Sequence, residues 1–119
     1  MFNLNLYNNS PVYLDIVNNI IQLIMNGTFK GNEKLPSIRN LSQILGINHN
    51  TVQKAYVELE NRGYIYSLVG KGMFVQDNLD DLILNETNNL LKEMKNYILK
   101  LKLTGISKKD LEKIIQEVY

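Results

Sequence analysis

The sequence predicts a mainly α-helical chain carrying one small β hairpin. Apolar residues recur at three- and four-residue spacing in five stretches, between residues 13 and 25, 38 and 45, 52 and 59, 83 and 101, and 111 and 118. Cap and stop residues bound most of those stretches. Two β-prone runs flank a Gly-Lys-Gly tip.

Residues 1–9 mix Asn3, Asn5, Asn8 and Asn9 with Phe2, Leu4, Leu6 and Tyr7. That pattern fits an extended arm on the body or an unstructured end. Ser10 as cap and Pro11 at the first helical position then open a helix. Tyr13, Ile16, Val17, Ile20, Ile21, Ile24 and Met25 form its apolar stripe. Such a stripe is read as core and not as a ligand wall. Gly27 ends it, and residues 28–34 read as a loop turning at Gly31-Asn32.

Leu35-Pro36-Ser37 then closes one element and caps the next, because Pro36 cannot continue a helix and Ser37 accepts from free amides. Ile38, Leu41, Ile44 and Leu45 mark one face of a short helix stopped by Gly46. Ile47 plugs the turn and Asn48 caps a second helix, with Val52, Ala55, Tyr56 and Leu59 as its buried stripe and Gly63 as its end. Tyr64-Ile65-Tyr66 and Met73-Phe74-Val75 then form the hairpin, with Gly70-Lys71-Gly72 at its tip. Two short helices joined by a glycine-containing turn and followed by such a hairpin make a winged helix-turn-helix.

In that arrangement the second helix lies in the major groove of DNA, its N-terminal residues at base edges. His49, Asn50, Thr51, Gln53 and Lys54 are the hydrogen-bonding side chains there, all off the apolar stripe. Asn50 and Gln53 suit adenine, which predicts A·T pairs in the operator. His49 suits a base or a phosphate, while Thr51 has the alternative of bonding locally at the helix start. Ser37 and Arg39 belong to a helix whose N-terminus faces the DNA backbone, and an arginine fork bridges phosphate oxygens or reaches a guanine edge. Gly70, Lys71 and Gly72 offer a cation on a thin tip, suited to a phosphate or the minor groove. The competing reading is a winged helix that serves as a protein-interaction module, with these polar residues merely solvated.

After Val75, Asp77, Asn78, Asp80 and Asp81 crowd a helix start, where negative charge meets the positive end of the dipole. A long helix follows over residues 79–103, with Ile83, Leu90, Leu91, Met94, Tyr97, Ile98 and Leu101 on a wide apolar face. Thr104-Gly105-Ile106 breaks it. Ser107 and Asp110 start a last helix lined by Leu111, Ile114, Ile115 and Val118. Roughly forty residues do not build an independent core. The apolar face therefore calls for another surface, and a second copy is the simplest supply. The expected organisation is a DNA-binding unit over residues 1–76 and a helical-hairpin dimerisation region over residues 77–119.

The chain resembles the GntR family of bacterial transcription regulators, and most of all its short YtrA-type branch. The resemblance rests on Pro11-Val12-Tyr13, Gly27, Leu35-Pro36-Ser37-x-Arg39-x-Leu41 and Asn48-x-Asn50-Thr51-Val52, all in order. It continues through Ala55-Tyr56, Glu58-Leu59-Glu60, Gly63-Tyr64-Ile65 and Gly70-x-Gly72-x-Phe74-Val75, so it covers about residues 11–76. It implies a winged helix-turn-helix that binds operator DNA as a homodimer, with contacts from Arg39, His49, Asn50, Thr51, Gln53 and the wing. It implies repression by promoter occupancy, and control of membrane-transporter genes, as is common in that branch. One departure stands out: His49 and Gln53 occupy places where related proteins often carry arginine, so the guanine-reading fork is missing at both.

Composition bounds the rest. With no cysteine and one histidine among 119 residues, thiolate chemistry and a His/Cys metal cluster are excluded. No nucleophile–base pair and no phosphate-cradling loop ahead of a helix is present, so neither an enzyme nor a cofactor is expected. The most apolar stretch, residues 16–25, is too short to span a bilayer and is interrupted by Asn18, Asn19 and Gln22. No secretion signal is evident, which predicts a cytoplasmic protein without a membrane partner. Net charge is only +1, but residues 30–76 hold six Lys and Arg against three acids, and residues 77–119 hold seven Lys against eight acids. The positive excess sits where phosphate contacts would need it. Any small-molecule effector is left unspecified.

Overall fold

The computed structural model describes residues 11–119; the expected N-terminal arm and the Ser10 cap lie outside the described residues. Seven elements follow in order: α1 (Val12–Met25), α2 (Ile38–Leu45), α3 (His49–Asn61), β1 (Ile65–Leu68), β2 (Gly72–Val75), α4 (Leu79–Lys102) and α5 (Lys108–Val118). The mainly helical class with a small β wing is as the sequence predicts. The chain divides into two compact units, Met1–Ile83 and Leu84–Tyr119.

The core of the first unit is built from the three predicted stripes. Ile16, Val17, Ile20 and Ile24 of α1 meet Leu41 of α2 and Val52, Ala55, Tyr56 and Leu59 of α3. Tyr64, Ile65 and Val75 seal it at the root of the hairpin. Leu79 and Leu82, in the first turn of α4, pack against the same cluster. Tyr56 shows how tightly the pieces interlock: its ring is buried and its hydroxyl donates to the Pro36 carbonyl at 2.6 Å. This ties the middle of α3 to the entry of α2. Burial pushes the Tyr56 phenol well above its usual range.

Some expectations need correction. Pro11 stands at the cap of α1 with an extended backbone (φ −57°, ψ 144°), not at its first helical position. A proline is at ease in that conformation, which asks for no amide donor. Met25 and Ile44, both placed on apolar stripes, are exposed, whereas Leu23 and Phe29 are buried. At the end of α1 the cause is the chain's path after the helix. It turns at Gly27 (φ +82°), and the Phe29 amide bonds back to the Leu23 carbonyl at 3.0 Å, rotating the end of the stripe.

Residues 28–34 are also more than a loop. Asn32 donates to Val75 O at 2.7 Å, Val75 donates to Glu33 O at 2.9 Å, and Leu35 donates to Met73 O at 2.9 Å. β2 is thus paired on both edges, with β1 in antiparallel register (Ile65 opposite Val75, Leu68 opposite Gly72) and with this segment, bridged at Lys34 and Phe74. Asn32 takes φ +64° in the turn that sets up the pairing, and its Oδ1 accepts from the Tyr66 hydroxyl at 2.8 Å. Gly31 is needed for close approach, because a Cβ there would come within 3.0 Å of the Asp77 backbone.

The second unit, α4 from Leu84 onward together with α5, is different in kind. No described residue of α4 or α5 is buried. Ser107 caps α5 as expected, its Oγ accepting from the Asp110 amide at 3.1 Å. Asp80 and Asp81 in the first turn of α4, and Lys100 and Lys102 in its last, complement the helix dipole. Ile98, Ile106 and Leu111 gather at the elbow between the helices, where they are partly covered. Beyond the elbow, Ile114, Ile115 and Val118 stay exposed.

Candidate nucleic-acid interface

The helix-turn-helix is set by its caps. Ser37 Oγ accepts from the Asn40 amide at 3.0 Å and starts α2. Gly46 ends α2 in the left-handed conformation (φ 63°, ψ 32°), which a side-chain-bearing residue adopts only under strain. Asn48 Oδ1 accepts from the Asn50 amide at 2.8 Å and starts α3. The chain therefore turns in three residues; α2 packs on α3 and α3 on α1, with Leu41, Val52 and Tyr56 buried in the shared core.

This arrangement brings the expected residues of α3 onto one exposed end. His49, Asn50, Gln53 and Lys54 are exposed and Thr51 is partly so, while Val52, Ala55 and Tyr56 point into the core. The Asn50 amide is consumed by the cap, but its side chain is free to reach outward. Ser37 and Arg39 are exposed at the start of α2. The Ser37 hydroxyl accepts the cap bond, which leaves its O–H donor available to a phosphate oxygen.

Lys54 holds a defined position that sequence reasoning did not anticipate. Its Nζ sits 4.2 Å from the centroid of the Tyr13 ring at the start of α1. Pro11, Val12, Tyr13, Asn50, Thr51 and Lys54 line a shallow depression there. Tyr13 thus joins the surface around the recognition helix; the Pro11-Val12-Tyr13 match was the only sequence signal for it.

The wing is the second exposed feature. Its turn closes with the Lys71 amide donating to the Leu68 carbonyl at 3.0 Å, and Gly70 takes φ +74° inside it. The apex is therefore Val69-Gly70-Lys71, one residue earlier than the Gly70-Lys71-Gly72 tip expected, and Gly72 already belongs to β2. Gly72 (φ +112°) leaves room for Lys34, whose Cε would lie 3.1 Å from a Cβ built there. Lys34 thereby lies along the wing, a placement that its position in an apparent loop concealed. Arg62 is not part of this surface chemistry: its Nε bonds Glu58 Oε1 at 2.9 Å on α3.

The family model for bacterial regulatory proteins of the gntR family matches residues 12–75, from the start of α1 to the end of the wing. The chain belongs to the gntR family. The GntR match is supported along nearly the whole chain by the HTH-type transcriptional repressor YtrA of Bacillus subtilis, 34% identical over 92% of this chain and 85% of the relative. A solved GntR-family transcription factor, YtrA from Sulfolobus acidocaldarius, superposes with a TM-score of 0.71 at 32% identity, over 83% of this chain and 97% of that one. AraR(DBD), solved in complex with operator ORX1, is 32% identical with a TM-score of 0.54, over 56% of this chain and 80% of its own. The family is one of regulators. Among the described residues no three His, Asp or Glu side chains are grouped to hold a metal ion, and no helix is long and apolar enough to cross a membrane.

Proposed function

We infer that this chain is a cytoplasmic transcription repressor that binds a near-palindromic operator as a homodimer. The exposed polar end of α3, beside an exposed wing on a closed core, carries this reading. His49, Asn50, Thr51 and Gln53 reach base edges, while Ser37, Arg39, Lys54 and the wing at Gly70, Lys71 and Gly72 engage the backbone. Lys54 reaches its phosphate from a place fixed by the Tyr13 ring, which lowers the entropy lost on binding. The similarity to a YtrA repressor and to an operator-bound AraR domain supports DNA as the partner.

The C-terminal helices supply the pairing. Ile83, Thr87, Leu90, Met94, Tyr97 and Leu101 alternate at spacings of four and three along α4, the seam of a two-helix contact. Leu90, Met94, Tyr97 and Leu101 are 53, 45, 64 and 39% exposed, so α5 leaves this seam open. A second copy of the chain covers it, and pairing places two recognition helices on one duplex. Residues through the wing then form the DNA-binding part, and residues from 77 onward connect and dimerise.

The test is a gel-shift and sedimentation experiment on the full chain with duplexes selected from a random library. Enrichment of a near-palindrome, a steep salt dependence of affinity and a dimer at micromolar concentration are expected. Failure to enrich any sequence overturns the operator reading, and a monomer bound to a single half-site overturns the pairing.

A further inference from the structure

The wing ends on a side chain that the assignments above leave unused. Val69 is fully exposed at the apex, at 103% of its reference accessibility, and Leu68 beside it is 42% exposed. Gly70 follows with no heavy atom within 4 Å of where its Cβ would be, so the apex is thin. The root is fixed, because β2 is paired on both edges and the turn closes through the bond between Lys71 and Leu68. Along residues 68–70 there is no side-chain hydrogen-bond donor or acceptor, whereas Lys71 lies in the same turn and Lys34 runs over Gly72. A narrow apolar point accompanied by two cations matches the cross-section of a minor groove. Phosphates line its rims, and the space between them is only about 6 Å wide.

We propose that Val69 enters the minor groove and selects A·T pairs beneath the wing by excluding the guanine 2-amino group. This deepens the operator-binding reading and rests on it. The minor-groove edge of an A·T pair presents acceptors and an open floor, while G·C adds a protruding N2 donor. Methyl groups pressed on that donor displace its water and offer no acceptor in return, so the pair is penalised. Lys71 and Lys34 position the tip through phosphates and carry no sequence information, whereas Val69 reads by shape and desolvation.

Inosine separates this mechanism from major-groove reading, because an I·C pair has the minor-groove edge of A·T and the major-groove edge of G·C. The full chain is used to select duplexes from a random library, and hydroxyl-radical protection locates the pairs under the wing. Changing an A·T pair there to G·C should weaken binding roughly tenfold, in the range of a single unfavourable pair. Changing it to I·C should restore affinity to within about twofold, since the minor-groove edge is that of A·T. Val69→Gly should bind the A·T and G·C duplexes alike with an unchanged melting temperature. Val69→Thr keeps the shape but adds an acceptor, so it should bind the G·C duplex several-fold better than the unmodified chain does. The proposal is overturned if inosine does not restore binding, if Val69→Gly keeps the discrimination, if Val69→Thr gains nothing, or if no protection appears under the wing. A library that yields no enriched sequence overturns the operator reading itself, which is a separate result.

Discussion

The two units spend their apolar residues in opposite ways. In the first, Leu41, Val52, Ala55, Leu59 and Val75 are wholly inaccessible, and exposure is left mostly to polar side chains around the start of α3. In the second, α4 and α5 bury no residue, and leucines, isoleucines and a methionine face outward along both helices. One unit is complete as it stands and presents chemistry. The other leaves its apolar side chains open within a single chain, and under the homodimer reading its stability depends on protein concentration.

That contrast is sharpest in how truncated side chains should behave. Leu59→Ala, in the closed core, should cost about 2–5 kcal/mol at any protein concentration. Leu90→Ala should cost little in dilute solution, and its penalty should grow as concentration rises toward full pairing. Thermal melts over a hundredfold range of concentration compare the two; a Leu90 effect independent of concentration would mean that α4 is covered within one chain.

The next largest effect concerns where the chain is cut. A chain ending at Gln76 would lose Leu79 and Leu82, which pack on the core, and is a poor test of the division. Ending at Ile83 keeps both. That shorter chain should fold, sediment as a monomer and bind a full operator roughly a hundredfold more weakly than the intact chain, because the second half-site contact is no longer intramolecular. Equal affinity of the two chains would remove α4 and α5 from operator binding.

Arg39→Ala should then weaken operator binding by about 1–3 kcal/mol without changing the melting temperature, since Arg39 is exposed and outside the core. Lys71→Ala should act more evenly on operator and random DNA and lower the salt slope by about one unit. Binding titrations at several salt concentrations separate the two residues.

The smallest effect lies back inside the closed unit. Tyr56→Phe removes the hydroxyl that bonds Pro36 and should cost about 1 kcal/mol near neutral pH. The native phenol is held above its usual value, so above pH ~10 the unfolded chain releases a proton that the folded one retains. This group's contribution is full below that pH and declines as pH rises past it. Denaturant melts between pH 8 and 11 should show a shallower alkaline decline for Tyr56→Phe than for the unmodified chain.

Legibility in the sequence followed the same divide. Residues 35–63 were readable because each boundary carries a residue with a local reason to be there: Ser37 and Asn48 as acceptors, Gly46 for positive φ. The polar set at the start of α3 was readable because it falls between buried positions of a clear helical stripe. The strand-like pairing of residues 32–35 was not, since its partner lies some forty residues away and Gly31, Asn32 and Lys34 read locally as a turn. Lys34 and Tyr13 were placed by such long-range contacts, beyond the reach of periodicity. The full exposure of Val69 was not legible either, since an apolar residue beside a β-prone run reads locally as part of a strand. The exposure of Met25 and Ile44 was hidden because a stripe gives direction on one helix, not where its neighbours stop.

The doubly paired β2 also determines when the wing comes into being. A two-stranded hairpin with four residues a side is marginal by itself. Its stability depends on residues 32–35, which join it only after the chain has closed a loop spanning α2 and α3. The wing is therefore laid down together with the three-helix body and not ahead of it. Once formed, it opens with that body too: the amide hydrogens of Leu35 and Val75 should exchange with solvent only through global unfolding, while those at the apex exchange through local motion.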